Sequence, residues 1–499
     1  MNAAVRLAFA VAVAVAVAAA ATAVSSFAVT AVGTPAPAAA KHDWAMFGWD
    51  AGRSSAPNVP MGITADDLPF LQRQQVRIDG TVDASAIYLH DVTVAGAPHD
   101  VFFVTTTYGK TLAIDADRGT VLWTFTPSGF DRLKGSYRIT TATPVADPGR
   151  DAIYAASPDG IIRRLAVADG HVEWSTSITR LPEREKIASP LAFSRGRVIA
   201  TTGGYIGDRP PYQGHVAILD AKSGALLHVW NALCSNRRGL IDPATCPASD
   251  AAIWGRAGAV IDARTGNIFV ATGNARWDGV EHWGDAVVEL DPDATRILGN
   301  YTPANTEELN ATDEDLGSSS PALAGGPYVV QGGKDGILRV LDWRRMAGTT
   351  AHRGGESSSV PTPGSARLFT APAVWHHAGT IWMYVADSRG TSAWTLDGDT
   401  LKPQWRNDHA GTSPVVADEL VYVYDPAGTL RVYGAASGRL LAGLECGGGH
   451  WNSPIVADGR IALPEGNAND HATSGVLDIW RVVRPGVDAH QERAGQERR

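Results

Sequence analysis

Charged residues are scarce in this 499-residue chain: 19% are Asp, Glu, Lys or Arg, and the formal net charge is -9. Nucleic-acid binding needs a basic surplus, so that class of partner is excluded, and nothing favours an anionic membrane surface. Cysteine is scarcer still, with three residues. No C-x-x-C-H motif is present, so the chain carries no c-type haem, and any electrons it receives would leave through a separate acceptor.

The first 40 residues have the pattern of a targeting segment. Arg6 precedes an apolar run from Leu7 to Ala23, and both Ala21-Thr22-Ala23 and Ala38-Ala39-Ala40 fit a signal-peptidase site. We predict a signal peptide and linker at 1–40 and a periplasmic mature chain. The apolar character continues to Val32, so an uncleaved anchor is the alternative. No later hydrophobic run is long enough to predict a membrane span.

The three cysteines are unevenly placed. Cys234 and Cys246 lie twelve positions apart in one polar loop. In an oxidising compartment they can form a disulfide, which leaves Cys446 as a free thiol.

Glycine, proline and tryptophan are plentiful, with 53, 29 and 15 residues, and one Pro-containing phrase recurs along the chain. Its copies are Thr143-Pro144-Val145, Ser189-Pro190-Leu191, Ser320-Pro321-Ala322, Ala371-Pro372-Ala373, Ser413-Pro414-Val415 and Ser453-Pro454-Ile455. Related starts occur at Ala84-Ser85-Ala86 and Ala257-Gly258-Ala259-Val260. Eight units therefore begin near residues 86, 144, 190, 258, 321, 372, 414 and 454.

A second phrase, an Asp-containing turn followed by Gly and Trp, closes the units. The copies are Asp115 with Gly119 and Trp123, Asp169-Gly170 with Trp174, Asp220 with Gly224 and Trp230, and Asp397 with Trp405. Each unit then has four short strands, and such sheets must stack to bury their faces. We predict an all-β, eight-bladed β-propeller with tryptophan-docking repeats at 41–485 and a polar tail at 486–499. The segment from Leu71 to Ile78 is expected to pair with the last blade and close the ring.

The Asp…Gly…Trp phrase resembles the tryptophan-docking repeat of the quinoprotein alcohol dehydrogenase-like superfamily, the PQQ-repeat propellers. Many of its members bind pyrroloquinoline quinone (PQQ). The similarity spans nearly the whole mature chain, from Asp43-Trp44-Ala45-Met46-Phe47-Gly48 onward. The superfamily also contains non-catalytic propellers, so the repeat implies a fold rather than a chemistry.

Five positions match the family's site motifs. They lie in Ser189-Pro190, Trp254-Gly255-Arg256, Thr272-Gly273-Asn274, Asp313-Glu314-Asp315-Leu316-Gly317 and Gly333-Lys334-Asp335-Gly336. The resemblance implies that Trp254 lies under the quinone, Lys334 contacts its oxygens and Ser189 lies near its carboxylates. It also implies that Asn274 and Asp315 bind Ca²⁺ and that Asp315 is the catalytic base. An indole face suits a planar quinone, and a carboxylate can take the alcohol proton.

The sequence departs from the family at two points. The adjacent Cys-Cys pair is absent, and Gly135-Ser136-Tyr137-Arg138 occupies its neighbourhood. The expected Glu ligand of Ca²⁺ is missing from residues 202–211, where Asp208 is the substitute that we assign to the metal. Ordinary structural roles stay open for every candidate: Trp254 as core, Asn274 in a turn, Asp315 and Lys334 in surface loops.

The resemblance therefore implies a periplasmic PQQ-dependent dehydrogenase that oxidises a primary or secondary alcohol. The Cys234–Cys246 loop, preceded by Val229-Trp230-Asn231, is faintly similar to polyvinyl-alcohol dehydrogenases, which extends the expected substrates to bulky or polymeric alcohols. The alternative is a non-catalytic PQQ-repeat propeller that serves as a binding or envelope-assembly scaffold. A propeller with another enzymatic role, for example on glycans, is the third possibility.

Overall fold

The computed structural model describes residues 41–484, so the predicted signal peptide and the predicted tail at 486–499 lie outside the described residues. Eight four-stranded antiparallel sheets form an eight-bladed β-propeller, as predicted. First strands of successive blades contact one another, so they are the inner strands around the axis. Among residues 41–484, no helix is long and apolar enough to cross a membrane.

Blades 1 to 4 follow one another along the chain, each with its inner strand first. Blade 1 contains Ile87–Val94, Ala97–Thr105, Thr111–Asp115 and Val121–Phe125; blade 2 contains Val145–Ala146, Ala152–Ser157, Ile161–Ala166 and Val172–Ser177; blade 3 contains Ala192–Ser194, Arg197–Thr201, His215–Asp220 and Leu226–Asn231; and blade 4 contains Val260–Ile261, Ile268–Ala271, Val287–Leu290 and Ile297–Tyr301. A separate two-stranded ladder joins Glu185–Lys186 to Gly203–Gly204.

Blades 5 to 8 continue the pattern. Blade 5 contains Ala322–Gly325, Tyr328–Gln331, Ile337–Asp342 and Ser358–Pro361; blade 6 contains Ala373–His377, Thr380–Ala386, Thr391–Asp397 and Thr400–Asn407; blade 7 contains Val415–Ala417, Leu420–Asp425, Thr429–Gly434 and Leu440–Glu445; and blade 8 contains Ile455–Ala457, Arg460–Glu465, Gly475–Val482 and Leu71–Ile78. The described helices are short: α-helices Phe130–Leu133 and Thr306–Thr312, and 3₁₀ segments Ala65–Phe70, Pro243–Thr245, Leu316–Ser318 and Ala468–Asp470.

The repeat phrases mark the blades closely. Every inner strand begins within two residues of the start expected from the sequence, from Ile87 against 86 to Ile455 against 454. The fourth strand of blade 8 is Leu71–Ile78, which pairs antiparallel with Gly475–Val482, as expected.

Tryptophans join neighbouring blades. In blade 1, Trp123 donates its indole N–H to the Val167 carbonyl of blade 2 at 2.8 Å, and its ring covers Gly170. A Cβ at Gly170 would lie 2.6 Å from that ring, and its φ of +74° also favours glycine. The same joint recurs for Trp174 on Gly224 and Trp405 on Gly438. Each of these tryptophans therefore docks on the glycine turn of the next blade.

The antiparallel order assigns the connections to two faces of the ring. Segments before the inner strands and turns between second and third strands lie on one face, which we call the site face. Turns between first and second strands, and between third and fourth strands, lie on the other face, which we call the docking face.

The cysteines are paired as expected from their spacing. Cys234 and Cys246 form a disulfide, and Cys446 is a half-buried free thiol.

Candidate active site

A cavity of about 290 Å³ opens on the site face. We call it the site cavity. Its lining includes five of the six site residues expected from the sequence: Asp208, Trp254, Asn274, Asp315 and Lys334. These side chains come from blades 3, 4 and 5. Their segments precede inner strands or join second and third strands, which explains why they meet.

The sixth residue, Ser189, does not line the cavity. Its hydroxyl is buried and lies within hydrogen-bond distance of the Ile253 carbonyl at 3.3 Å and the Gly255 carbonyl at 3.0 Å. It therefore braces the backbone on both sides of Trp254, and its place near the cofactor carboxylates stays a prediction.

Asp315 precedes the 3₁₀ segment Leu316–Ser318, and 4% of its surface is exposed. Its Oδ1 accepts the backbone N–H of Asn274 at 2.6 Å, and its Oδ2 lies 2.5 Å from Nζ of Lys334. Burial raises the pKa of Asp315, and the attraction of Lys334 offsets part of that rise. Burial opposes the charge of Lys334, but the Asp315 and Asp313 carboxylates raise its pKa above the ordinary value. The two groups thus form a buried ion pair.

Gly273 makes this approach possible. A Cβ at Gly273 would collide with Oδ1 of Asp315, so a larger residue would push the carboxylate away from the Asn274 N–H. The Gly273 N–H donates to the Ala252 carbonyl at 2.8 Å, which fixes the strand end beside the cavity.

A second carboxylate, Asp285, is buried beside Asp315 but does not line the cavity. Its Oδ1 accepts the Leu316 N–H at 2.9 Å, and its Oδ2 has no partner among the described residues. Burial raises the pKa of Asp285 to about 8, and the charge of Asp315 adds to the shift. Asp285 is therefore mainly protonated at neutral pH, and Asp315 carries the negative charge of the pair.

Three aromatic rings line one part of the cavity. The Trp254 ring centroid is 5.6 Å from that of Trp451 and 6.0 Å from that of Phe369, with the planes tilted by 31° and 42°. Lys334 places its Nζ 5.6 Å from the Trp254 centroid. This surface suits a flat ligand, because aromatic faces stack on planar π-systems.

Two buried cations lie next to the aromatic surface. Lys186 lines the cavity at 5% exposure, and its ammonium has no hydrogen-bond or ion-pair partner among the described residues. Arg256 is 2% exposed, and its Nε and Nη2 are likewise without partners among residues 41–484. Both side chains stand over the Trp451 ring, at 5.8 and 5.5 Å from its centroid.

The carboxylate that acts on both cations is already engaged. Asp83 accepts from the Trp451 and Ala468 backbone N–H groups and pairs with Nδ1 of His450 at 2.8 Å. Burial lowers the pKa of Lys186 to about 8 and that of Arg256 to about 10, so both stay charged at neutral pH. Buried charges without partners are costly, and a bound anion would relieve that cost.

The donor set fits a planar anion such as PQQ but not a Ca²⁺ ion. Ca²⁺ takes six to eight oxygen ligands, whereas the described lining offers two carboxylates, Asp315, which pairs with Lys334, and Asp208. Asp208 is exposed, and its Oδ1 accepts the Tyr212 hydroxyl at 2.9 Å. A Cβ at Gly204 would lie 2.7 Å from the Tyr212 ring, so an acidic side chain does not fit at position 204 either. The side chain of Asn274 is the one expected ligand that makes no hydrogen bond within the described residues.

A larger cavity of about 620 Å³ lies on the docking face, between blades 4 and 5. We call it the docking-face cavity, and its lining includes Asp262, Glu289, Trp343 and Arg344. Its charged groups have partners: Arg344 pairs with Asp342 at 2.7 Å, and Glu289 accepts the Trp343 indole N–H at 2.6 Å.

The chain is similar to known propeller proteins. The family model described as outer membrane protein assembly factor BamB matches residues 77–289. The quinohemoprotein alcohol dehydrogenase from Comamonas testosteroni has 16% identity and a TM-score of 0.62, over 89% of this chain and 81% of that chain. The predicted likeness to the PQQ-repeat propellers is confirmed.

Two further solved structures of similar architecture come from proteins with different roles. The europium-containing methanol dehydrogenase has 13% identity and a TM-score of 0.65, over 88% of this chain and 98% of that chain. BamB from Moraxella catarrhalis has 14% identity and a TM-score of 0.50, over 82% of this chain and 97% of that chain. A search of curated proteins found no match. At these identities the likeness establishes the fold, and dehydrogenases and an assembly factor share it.

Proposed function

We propose that the site cavity binds PQQ and that the chain is a PQQ-dependent oxidoreductase acting on an alcohol. The observation that carries this proposal is the convergence of Trp254, Asp315 and Lys334 with the unpartnered cation Lys186 in one cavity. A scaffold has no need for a buried carboxylate beside a flat aromatic surface and an uncompensated ammonium.

Each side chain has a distinct task in this proposal. Trp254 offers the stacking surface, and Lys186 pairs with a carboxylate of the cofactor. PQQ, when bound, would supply an o-quinone able to accept a hydride equivalent from the alcohol carbon. Asp315 accepts the hydroxyl proton, and the rise of its pKa on burial makes it a better base near neutral pH. Lys334 holds the carboxylate in place and stabilises negative charge that develops near it.

The rim of the site cavity supports a bulky substrate. A neighbouring hollow with Tyr137 and Arg209 shares Tyr205 and Ile206 with it, and 74% of the Ile206 surface is exposed. A second hollow, beyond Arg367, also adjoins it. These adjoining hollows leave space for an alcohol larger than methanol, including a polymeric one. The disulfide and the predicted signal peptide support a periplasmic setting with a separate electron acceptor.

Reconstitution tests the proposal directly. Purified protein is titrated with PQQ while tryptophan fluorescence and quinone absorbance are recorded, and dye reduction is then followed with primary, secondary and polymeric alcohols. Saturable binding with alcohol-dependent dye reduction is the expected result. Absence of PQQ binding would reject the enzyme and favour the second candidate, a binding or assembly scaffold, which the match to the BamB family model supports.

A further inference from the structure

The Asp315 carboxylate is already paired with a cation of the chain itself. Lys334 contributes its ammonium 2.5 Å from Oδ2 of Asp315, and its backbone N–H donates to the Asp315 carbonyl at 3.0 Å. The Lys334 side chain is 10% exposed, and Asp313 binds the same ammonium at 2.9 Å. Two carboxylates and a backbone hydrogen bond thus fix this positive charge at the edge of the Trp254 ring.

The remaining donors are too few for a divalent ion. The described residues contain no cluster of three acidic or histidine ligands at this cavity whose donor atoms lie within 4.8 Å of one another. Asp208 is turned toward Tyr212, and Tyr212 fills the space beside Gly204.

We infer that this site binds its planar anionic cofactor without a divalent cation, and that the Lys334 ammonium takes the place of the metal. The inference rests on the proposed function, since it concerns the same cofactor. Lys334 neutralises Asp315 and holds positive charge 5.6 Å from the centroid of the Trp254 ring, on which a quinone would stack. Because the lysine is part of the chain, the site is complete without metal loading.

The test measures PQQ affinity in excess EDTA and in excess CaCl₂, with tryptophan quenching as a readout that is independent of turnover. Equal affinities, within about twofold, are expected. PQQ binding that is about tenfold or more tighter with Ca²⁺ would overturn the inference and leave the proposed function standing. No binding in either buffer would reject the proposed function, and the inference with it.

Two variants sharpen the result. Lys334→Gln removes the charge and is expected to weaken PQQ binding about tenfold or more in EDTA, whereas Lys334→Arg keeps the charge and most of the affinity. Circular dichroism and a thermal melt establish that both variants are folded. A Lys334→Gln protein that binds PQQ as tightly as the wild type in EDTA would show that the ammonium does not replace a metal.

Discussion

The site cavity and the docking-face cavity differ in how their charged groups are paired, which their volumes do not reveal. The docking-face cavity has about twice the volume, 620 against 290 Å³, yet its charged groups have partners, as in the Arg344–Asp342 pair. The site cavity is smaller and contains Lys186, whose ammonium has no partner among the described residues. It lies next to Arg256, two of whose nitrogens are also unpaired within residues 41–484. Uncompensated charge on rigid, buried positions costs stability and is retained where a ligand supplies the missing partner. The comparison therefore identifies the smaller cavity as the better candidate for function.

The largest contrast is expected in turnover. Asp315→Asn keeps the shape of the side chain but removes the base, so alcohol-dependent dye reduction should fall about 10²- to 10⁴-fold while PQQ affinity changes little. Asp262→Asn, in the docking-face cavity, is the matched control and should leave turnover unchanged. Steady-state assays of both variants decide the matter; equal activities would remove Asp315 from the mechanism.

The next contrast is in affinity. Lys186→Met removes the unpaired ammonium and should weaken PQQ binding about 30-fold, because one partner of a buried charge pair is lost. Arg344→Met removes an exposed cation from the docking-face cavity and should have no effect on binding. Fluorescence titration gives both values. Tight binding to the Lys186→Met protein would place the cofactor carboxylates elsewhere.

The pH dependence of binding should follow the same lysine. Burial lowers the pKa of Lys186 to about 8, so its charge is present below that pH and lost above it. PQQ affinity should be steady from pH 6 to 7.5 and decline up to about tenfold between pH 8 and 9.5. The Lys186→Met protein should lack this decline. Titrations across that range test the expectation, and an identical pH profile in both proteins contradicts it.

The smallest contrast concerns stability. The pKa of Asp285 is raised to about 8 in the folded protein, so the native state retains a proton that the unfolded chain has lost between pH 4 and 8, and stability falls as pH rises through that window. Asp285→Asn should remove this slope and raise the free energy of unfolding at pH 8 by about 1 kcal/mol. Urea unfolding at pH 5 and pH 8 measures it. A variant whose slope equals that of the wild type would mean that Asp285 is ionised throughout.

The blades were predictable because they repeat. Pro144 and Pro454 each stand one residue before an inner strand, and the same Pro-containing phrase precedes the inner strand in six of the eight units. The fixed place of the tryptophan in the repeat also predicted that each blade docks on the next, and Trp123 does so on blade 2. The particular glycine that its ring covers, Gly170, required the structure.

The site was predictable only where a family motif covered it. Trp254 and Lys334 were found through flanking glycines, but Lys186 and Trp451 belong to no motif and enter the cavity through folding alone. The two-residue ladder that aligns Lys186 with Gly203 is too short to leave a sequence pattern. Ser189 was assigned to the cofactor because its motif resembles that of the family, yet its hydroxyl is taken up by backbone carbonyls.

The pairing of Leu71–Ile78 with Gly475–Val482 has a consequence for biogenesis. Strands separated by about 400 residues meet late, because a long loop must close before the contact is gained. During synthesis the early strand waits with an unpaired edge while seven blades stack beside it. A chain that stops short of Gly475 leaves that edge open to other chains, which favours aggregation. Only a polypeptide that has been translated to its final strand can therefore close the ring.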